Sequence, residues 1–480
     1  MKRIIYILSA VVLLAAACTK DISKLNVDPK NPSQLPSYAF FTHAQKVLDS
    51  TLASSNVNMN IFRLIVQHWQ ETQYPEESQY DLGTREINDN LWSVMYRDVL
   101  RDLQEAKNLI PKDVPDANVQ KNELAISEIM QVYAYYYLVT AYGNIPYSEA
   151  LNIEKPFPKY DDAKTIYNDL LSRLDAAIGN LNTSAASFGS ADVVYGGDVA
   201  KWKKFANSLK LKMGITIADA DNAKAKSVVE AAYTAGVFTS NDDNAEFVFQ
   251  STPPNTNPIW VDLVQSGRDD FVAASTLIDK LTNLNDPRID NFFTEDGAGR
   301  ADPNKVSYSG ADPGVQSAFA PNSHVNTNIT EPDFPNLLLD YAEVELLLAE
   351  AAARGYSVGA TAATHYAKGV TASIQYWGGT AAEATTYLAQ PGVAFVAGSW
   401  KEKIGIQKWI ALYNRGWDAW TEWRRLDYPQ LEPAFDALSE IPLRYPYPVN
   451  EQNVNRLNFE AAATAIGGDD VETKLWYDKF

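Results

Sequence analysis

Residues 126–142, ISEIMQVYAYYYLVTAY, place Ile126, Ile129, Met130, Tyr133, Tyr137 and Ala141 at successive steps of three and four. That period lines the six up as one apolar stripe on an α-helix. Ile166, Leu170, Leu174, Ile178 and Leu181 repeat the pattern. Further helices are expected over 91–109, 199–218, 223–235, 341–354, 360–377 and 401–424. Their apolar and aromatic faces suit antiparallel pairs stacked on neighbouring pairs, so the expected fold is mainly α. The pairing is of tetratricopeptide type, although no strict repeat of about 34 residues is visible.

Between the helices run long irregular stretches at 70–90, 239–270 and 286–335, rich in Asn, Asp, Gly and Pro. Loops of this length in a packed domain usually carry function.

The N-terminus reads differently. Lys2 and Arg3 precede an apolar run from Ile4 to Ala17, and Ala15, Ala16 and Ala17 lead into Cys18, the only cysteine of the 480 residues. A basic start, a short apolar run and small residues form a secretory signal over 1–17. The run falls short of the roughly 20 residues a membrane-spanning helix needs. With Cys18 at the cut, the layout is that of a lipobox, and Cys18 is the expected acylation site. The alternative is a plain secretory signal that contains a cysteine, because Ala15 stands where a lipobox usually has a branched aliphatic residue. Pro29, Pro32 and Pro36 make 18–36 a tether instead of a helix, which leaves 37–480 as the folded domain.

An acylated Cys18 leaves no thiol for a disulfide or a metal. The formal charge of −19 becomes −21 once Lys2 and Arg3 are removed, since 1–17 holds no acid. Such a surface disfavours nucleic acid and other polyanions.

Catalytic signatures are sparse. Gly355, Ser357 and Gly359 match G-x-S-x-G, but that motif needs a strand running into its serine, and a helix is expected here. The two glycines serve a helix end and a turn equally well. The histidines His43, His68, His324 and His365 are scattered, with no zinc-ligand spacing. Neither G-x-x-x-x-G-K-[ST] nor G-x-G-x-x-G occurs. Asp242, Asp243 and Asp296 lack the alternation of a calcium loop. No cofactor and no metal is expected, and the chain reads as a binding protein, not an enzyme.

Aromatic residues are plentiful: 11 Trp, 26 Tyr and 18 Phe. Most belong to core faces, as with Trp409, Trp417, Trp420 and Trp423 at helical spacing. Trp69, Tyr74, Tyr80, Trp260 and Phe271 instead sit among polar loop residues. An aromatic face there stacks on a sugar ring or a peptide side chain while polar neighbours hydrogen-bond the rest. Arg268 and Asp269 are the expected polar partners, with Gln67, Gln70, Glu71, Gln73 and Asp270 beside them. The alternative is that these aromatics pin the loops to the helical body.

Several ordered blocks resemble one family. YGNIPYSEAL from Tyr142, Pro158-Lys159-Tyr160-Asp161, Lys201 to Leu209, Asp340-Tyr341-Ala342-Glu343 and Gln407 to Arg425 are similar to the SusD/RagB nutrient-binding outer-membrane lipoproteins, in their SusD-like branch. The resemblance implies about four tetratricopeptide-like pairs in a right-handed superhelix, with long loops and extra helices on the ligand side. It also implies a lipid-anchored, surface-exposed protein of the outer membrane that captures oligosaccharides or peptides and passes them to a SusC-like TonB-dependent transporter. Lys201 to Leu209 and Gln407 to Arg425 would be scaffold. Two other classes stay open: a surface-anchored glycan hydrolase, and a helical-repeat scaffold in outer-membrane assembly.

Overall fold

The computed structural model describes residues 34–302 and 304–480. The expected signal at 1–17, Cys18 and almost all of the 18–36 tether lie outside them. The main helices, in chain order, are α1 (Ser37–Ala53), α2 (Ile87–Ser93), α3 (Arg101–Asp113), α4 (Ala117–Tyr142), α5 (Ala163–Asn180) and α6 (Val199–Thr216). They continue with α7 (Asn222–Ala235), α8 (Tyr341–Ala353), α9 (Ala362–Tyr376), α10 (Trp400–Ala411) and α11 (Gly416–Leu426). Strands are few and short. β1 (Trp69–Glu71) pairs with β5 (Phe271–Ala273), β2 (Ile145–Pro146) with β3 (Tyr160–Asp161), and β4 (Ala245–Phe247) with β6 (Asn336–Leu339), all antiparallel. The fold is mainly α.

The helices start where short acidic or hydroxyl side chains satisfy their first amides. Asp116 accepts from the amides of Asn118 and Val119 ahead of α4, and Asp198 from those of Ala200 and Lys201 ahead of α6. Asp340 and Thr361 do the same for α8 and α9. The stripe of 126–142 is buried as its period requires, but so are Val132, Ala134, Tyr136 and Leu138 on other faces of α4. An aromatic-rich helix enclosed on several sides gains more from burial than a surface helix does.

Neighbouring helices pack as α4 with α5, α6 with α7, α8 with α9 and α10 with α11, while α1 lies along α3. The pairs join through α5 to α6, α6 to α8 and α8 to α10. Two buried ionic clusters cross-link them. Lys212 of α6 reaches Glu343 of α8 at 2.9 Å and also Asp418 of α11. Arg415 joins Glu343 at 2.7 Å, Asp418 at 2.9 Å and Asp340 at 3.3 Å. In the second cluster Arg425 grips Glu350 of α8 and Glu422 at 2.5 and 2.6 Å. Lys408 of α10 pairs with the same Glu422. Charges this deep are tolerated because each has opposite-charge partners and hydrogen bonds.

The helix expected over 401–424 is two helices. Asn414 adopts left-handed backbone (φ 67°) between α10 and α11, a conformation Asn tolerates. Arg63 bonds the Asn414 side chain at 3.0 Å and its carbonyl at 2.9 Å, which fixes the break. Gly416 follows because a Cβ there would lie 2.6 Å from the Arg63 amide nitrogen. Trp409 therefore lies on α10, and Trp417, Trp420 and Trp423 lie on α11. The rod expected over 91–109 is continuous from Ile87 to Asp113, but Val94–Leu100 winds as a π-helix between α2 and α3.

Candidate functional site: a cleft built from three loops

Loops far apart in sequence meet because β1 and β5 pair. Their register sets Trp69 opposite Ala273, Gln70 opposite Val272 and Glu71 opposite Phe271. Beyond the ladder, the Thr72 amide donates to the Asp270 carbonyl at 2.8 Å and its hydroxyl to the Asp269 carbonyl at 2.6 Å. The third long loop closes on the same place: the Gly314 amide donates to Gln70 Oε1 at 2.9 Å, and the Ser317 amide to the Thr72 carbonyl at 2.8 Å. All three irregular stretches read from the sequence are thus fastened together by backbone-directed bonds.

A cleft of about 300 Å³ opens beside this ladder. Tyr74, Arg268 and Phe271 line it, together with Glu71, Gln73 and Asp270. The sequence pointed to these six, and strand pairing brings them together. Tyr74 is 68% exposed and sits in left-handed backbone at φ 57°. For a bulky side chain that is a rare conformation, and such strain gathers at ligand-contacting segments. Arg268 is exposed and pairs loosely with Asp270 at 3.6 Å.

Other expected residues belong elsewhere. Trp69 is only 2% exposed. Its Nε1 donates to the Tyr413 hydroxyl at 3.0 Å, and the Arg63 guanidinium lies 5.0 Å from its ring centre. Tyr80 is buried with its hydroxyl accepting from the Ala434 amide at 3.1 Å. Both pin loops to the helical body, and neither offers a free face to a ligand. Phe271 is largely buried against Trp69, with ring centres 5.6 Å apart, and contributes an edge to the cleft. Trp260 is half-buried on the short helix Pro258–Trp260, and Asp269 is exposed; neither lines the cleft. Gln67 and Gln70 are buried braces, Gln67 Nε2 donating to the Glu432 carbonyl at 2.6 Å.

The cleft also holds residues that the sequence reading passed over. Ser55, Asn56 and Asn58 follow α1, and the Ser55 hydroxyl donates to Asp262 at 2.8 Å. Asp262 belongs to a π-helical turn, Val261–Gln265. The signal available was the polar run Ser54-Ser55-Asn56-Val57-Asn58 at the end of an apolar helix. Arg85 completes the wall and pairs with Glu77.

Glu71 is the unusual carboxyl. Burial, with Glu77 beside it, pushes it up to about 9, although the Ser78 amide and hydroxyl both donate to its Oε2 at 2.9 Å. Near neutral pH it is a protonated acid hydrogen-bonded to Glu77. Burial likewise raises Asp262 above the usual carboxylate range. The cleft thus presents one exposed aromatic face, amide side chains, two guanidinium groups and carboxyls of reduced charge. Such a lining suits a polar, largely uncharged ligand with a stackable ring.

Gly355 and Gly359 both adopt left-handed φ, at 81° and 82°, as a helix end and a turn require. The Ser357 amide donates to Glu230 at 2.7 Å. His365 has Nδ1 engaged by Glu345 at 2.6 Å and Nε2 by the Val358 carbonyl at 3.0 Å, so it is not free to act as a base for Ser357. Among the described residues no cluster of three or more His, Cys, Asp or Glu is arranged to hold a metal. No described helix is long and apolar enough to cross a membrane.

Stacked helix pairs carrying a loop-built cleft define a helical binding scaffold. Residues 29–448 match the SusD-like family, described as starch-binding and associating with the outer membrane. The chain belongs to that family. Among solved structures, a chitin-binding protein is similar at 29% identity and a TM-score of 0.81, the match covering 92% of this chain and all of that one. A SusD homologue from Bacteroides uniformis is similar at 28% identity and TM-score 0.79, with coverages of 92% and 99%. Another from Bacteroides fragilis is similar at 25% and 0.78, with coverages of 93% and 100%. No curated protein matches the chain in sequence.

Proposed function

We propose that this protein is a non-catalytic surface lipoprotein, anchored through Cys18, that binds oligosaccharides at the Tyr74 cleft. It delivers them to a SusC-like TonB-dependent transporter in the outer membrane. The observation that carries the binding role is the exposed Tyr74 ring, held in strained backbone above a cleft of amides and guanidinium groups. A ring face of this kind packs on the apolar C–H face of a sugar while Asn56, Asn58 and Arg268 serve its hydroxyls. The printed function of the 29%-identical neighbour favours chitin-type sugars as the first ligands to try. Tethering near a transporter keeps the effective concentration high, so modest affinity suffices for delivery.

The hydrolase reading has one observation in its favour, the protonated Glu71 on the cleft wall. Against it, Glu71 is 4% exposed and its Oε2 is held by Ser78. A general acid must reach the glycosidic oxygen within hydrogen-bond distance.

The test is recovery of the protein from its host membrane in mild detergent, with identification of the proteins and small molecules that accompany it. A TonB-dependent barrel with bound oligosaccharide supports the proposal. Recovery without a barrel overturns the delivery role, and release of shorter sugars from chitooligosaccharides overturns the non-catalytic reading. Peptide in place of sugar overturns the ligand class.

A further inference from the structure

A second groove lies along the rod that runs from α2 into α3. Its two lobes, each of about 420 Å³, share Arg101, Ala150 and Leu151. One lobe is aromatic and proline-lined. Trp92 and Tyr96 lie with ring centres 4.9 Å apart, and Tyr96 is fixed by a 2.7 Å bond from its hydroxyl to the Pro146 carbonyl. The other lobe is polar, with Gln104, Asn108, Gln131 and the Tyr147 hydroxyl.

In a chain of formal charge −19, this groove carries five cations, Arg97, Arg101, Lys107, Lys155 and Arg173, against two carboxylates, Glu128 and Glu451. Lys107 and Arg173 both pair with Glu128. Arg97 pairs with Asp98, and Lys155 reaches Glu149 at 3.6 Å. Arg101, at the waist between the lobes, forms no ion pair among the described residues. Its guanidinium donates at 3.3 Å to the Leu151 carbonyl. A guanidinium at such a waist matches a carboxylate with two parallel bonds.

Two backbone features mark the same place. The π-helix Val94–Leu100 carries Tyr96 and Arg97 and ends one residue before Arg101. Leu151, on the facing wall, adopts left-handed backbone at φ 61°. π-Helical turns and left-handed bulky residues cost energy and recur at functional sites. The Tyr74 cleft shows the same pair of signs, in Val261–Gln265 and in Tyr74 itself.

We infer that this groove is a second binding site, for an oligosaccharide bearing carboxylates, with Arg101 taking a carboxylate at the waist. The amides and hydroxyl of the polar lobe take ring hydroxyls, and Trp92 and Tyr96 meet an apolar sugar face. The amide-rich lobe favours sugar over an acidic peptide. The groove shares no lining residue with the Tyr74 cleft, so the inference stands or falls apart from the proposal made for that cleft.

Calorimetry on the full chain with tetragalacturonate, a hyaluronan tetrasaccharide, hexaglutamate and chitotetraose tests it. At least one of the two carboxylated sugars binds, more weakly as salt rises. R101Q weakens that binding by about tenfold or more, R101K by less, and Y74A leaves it unchanged. Chitotetraose binding is unchanged in R101Q. Circular dichroism establishes that the variants are folded, as expected for an exposed helix position. Absence of binding by both carboxylated sugars, an R101Q affinity equal to wild type, or Arg101-dependent binding of hexaglutamate alone overturns the inference.

Discussion

Replacing Tyr74 with alanine removes the one exposed aromatic face of the cleft. A tyrosine carries roughly 200 Å² of surface, and at 68% exposure Tyr74 offers about 140 Å² of it. A sugar stacked on one face covers about half, near 70 Å². At about 25 cal/mol per Å² that contact is worth roughly 1.5–2 kcal/mol, or about a 10- to 30-fold rise in Kd. Alanine keeps the left-handed strain, so unfolding free energy should shift by no more than about 0.5 kcal/mol. Tyr74→Gly removes the same face and relieves the strain, which should make the loop harder to cleave with protease while losing the same affinity. Titration calorimetry with chitooligosaccharides reads both variants, and Tyr74→Phe is the control that keeps the ring. An alanine variant within twofold of wild type, in a protein that binds the sugar, would refute stacking at Tyr74.

Glu71 in the folded protein holds its proton to about pH 9, whereas an unfolded glutamate releases it near 4.3. The folded state binds more protons between those values, so this contribution to stability is complete at low pH and is lost as pH rises toward 9. Thermal unfolding of Glu71→Gln from pH 5 to 9 should fall less steeply than wild type; an equal slope would show that the carboxyl is ionised throughout. Glu422 acts with the opposite sign. Burial alone would raise it, but Arg425 and Lys408 hold it down to about 2, and its stabilisation disappears as pH falls from about 4.3 to 2. Glu422→Ala, which leaves two buried cations short of a partner, should cost about 3–5 kcal/mol in denaturant unfolding, and a cost under about 1 kcal/mol would count against a cooperative cluster. Gly416→Ala places a Cβ 2.6 Å from the Arg63 amide nitrogen and should cost about 1–3 kcal/mol, measured the same way; an unchanged Tm would mean that α11 can shift freely.

The helices were legible wherever an apolar period ran uninterrupted. The 126–142 stripe and the helices at 199, 223, 341 and 360 begin and end within a few residues of their expected bounds. The break at Asn414 was not legible, because Trp409, Trp417 and Trp420 keep helical spacing across it. Its cause is Arg63, which reaches Asn414 from a distant segment. The π-helical turn at Val94–Leu100 has ordinary helical composition and therefore no local signature. At the cleft, Tyr74 and Tyr80 sit in similar polar surroundings in sequence, yet one is exposed and the other capped by Ala434. Only the β1–β5 register and the packing beneath it separate a ligand-facing ring from an anchoring one. Asn56, Asn58 and Asp262 were missed for the same reason: their proximity to Tyr74 arises from contacts between remote loops.

The extra winding at Val94–Leu100 makes the rod behave as a selector dial. Each residue of an α-helix advances the chain by about 100°. Deleting one residue from this turn would restore α-helical winding and swing Arg101, with every side chain after it on α3, by about that angle relative to α2. Arg101 would then leave the waist of the groove while Tyr74 and its loops, fastened to β5, stayed where they are. A single-codon change there could exchange one lining for another without touching the ionic clusters that hold the helices together.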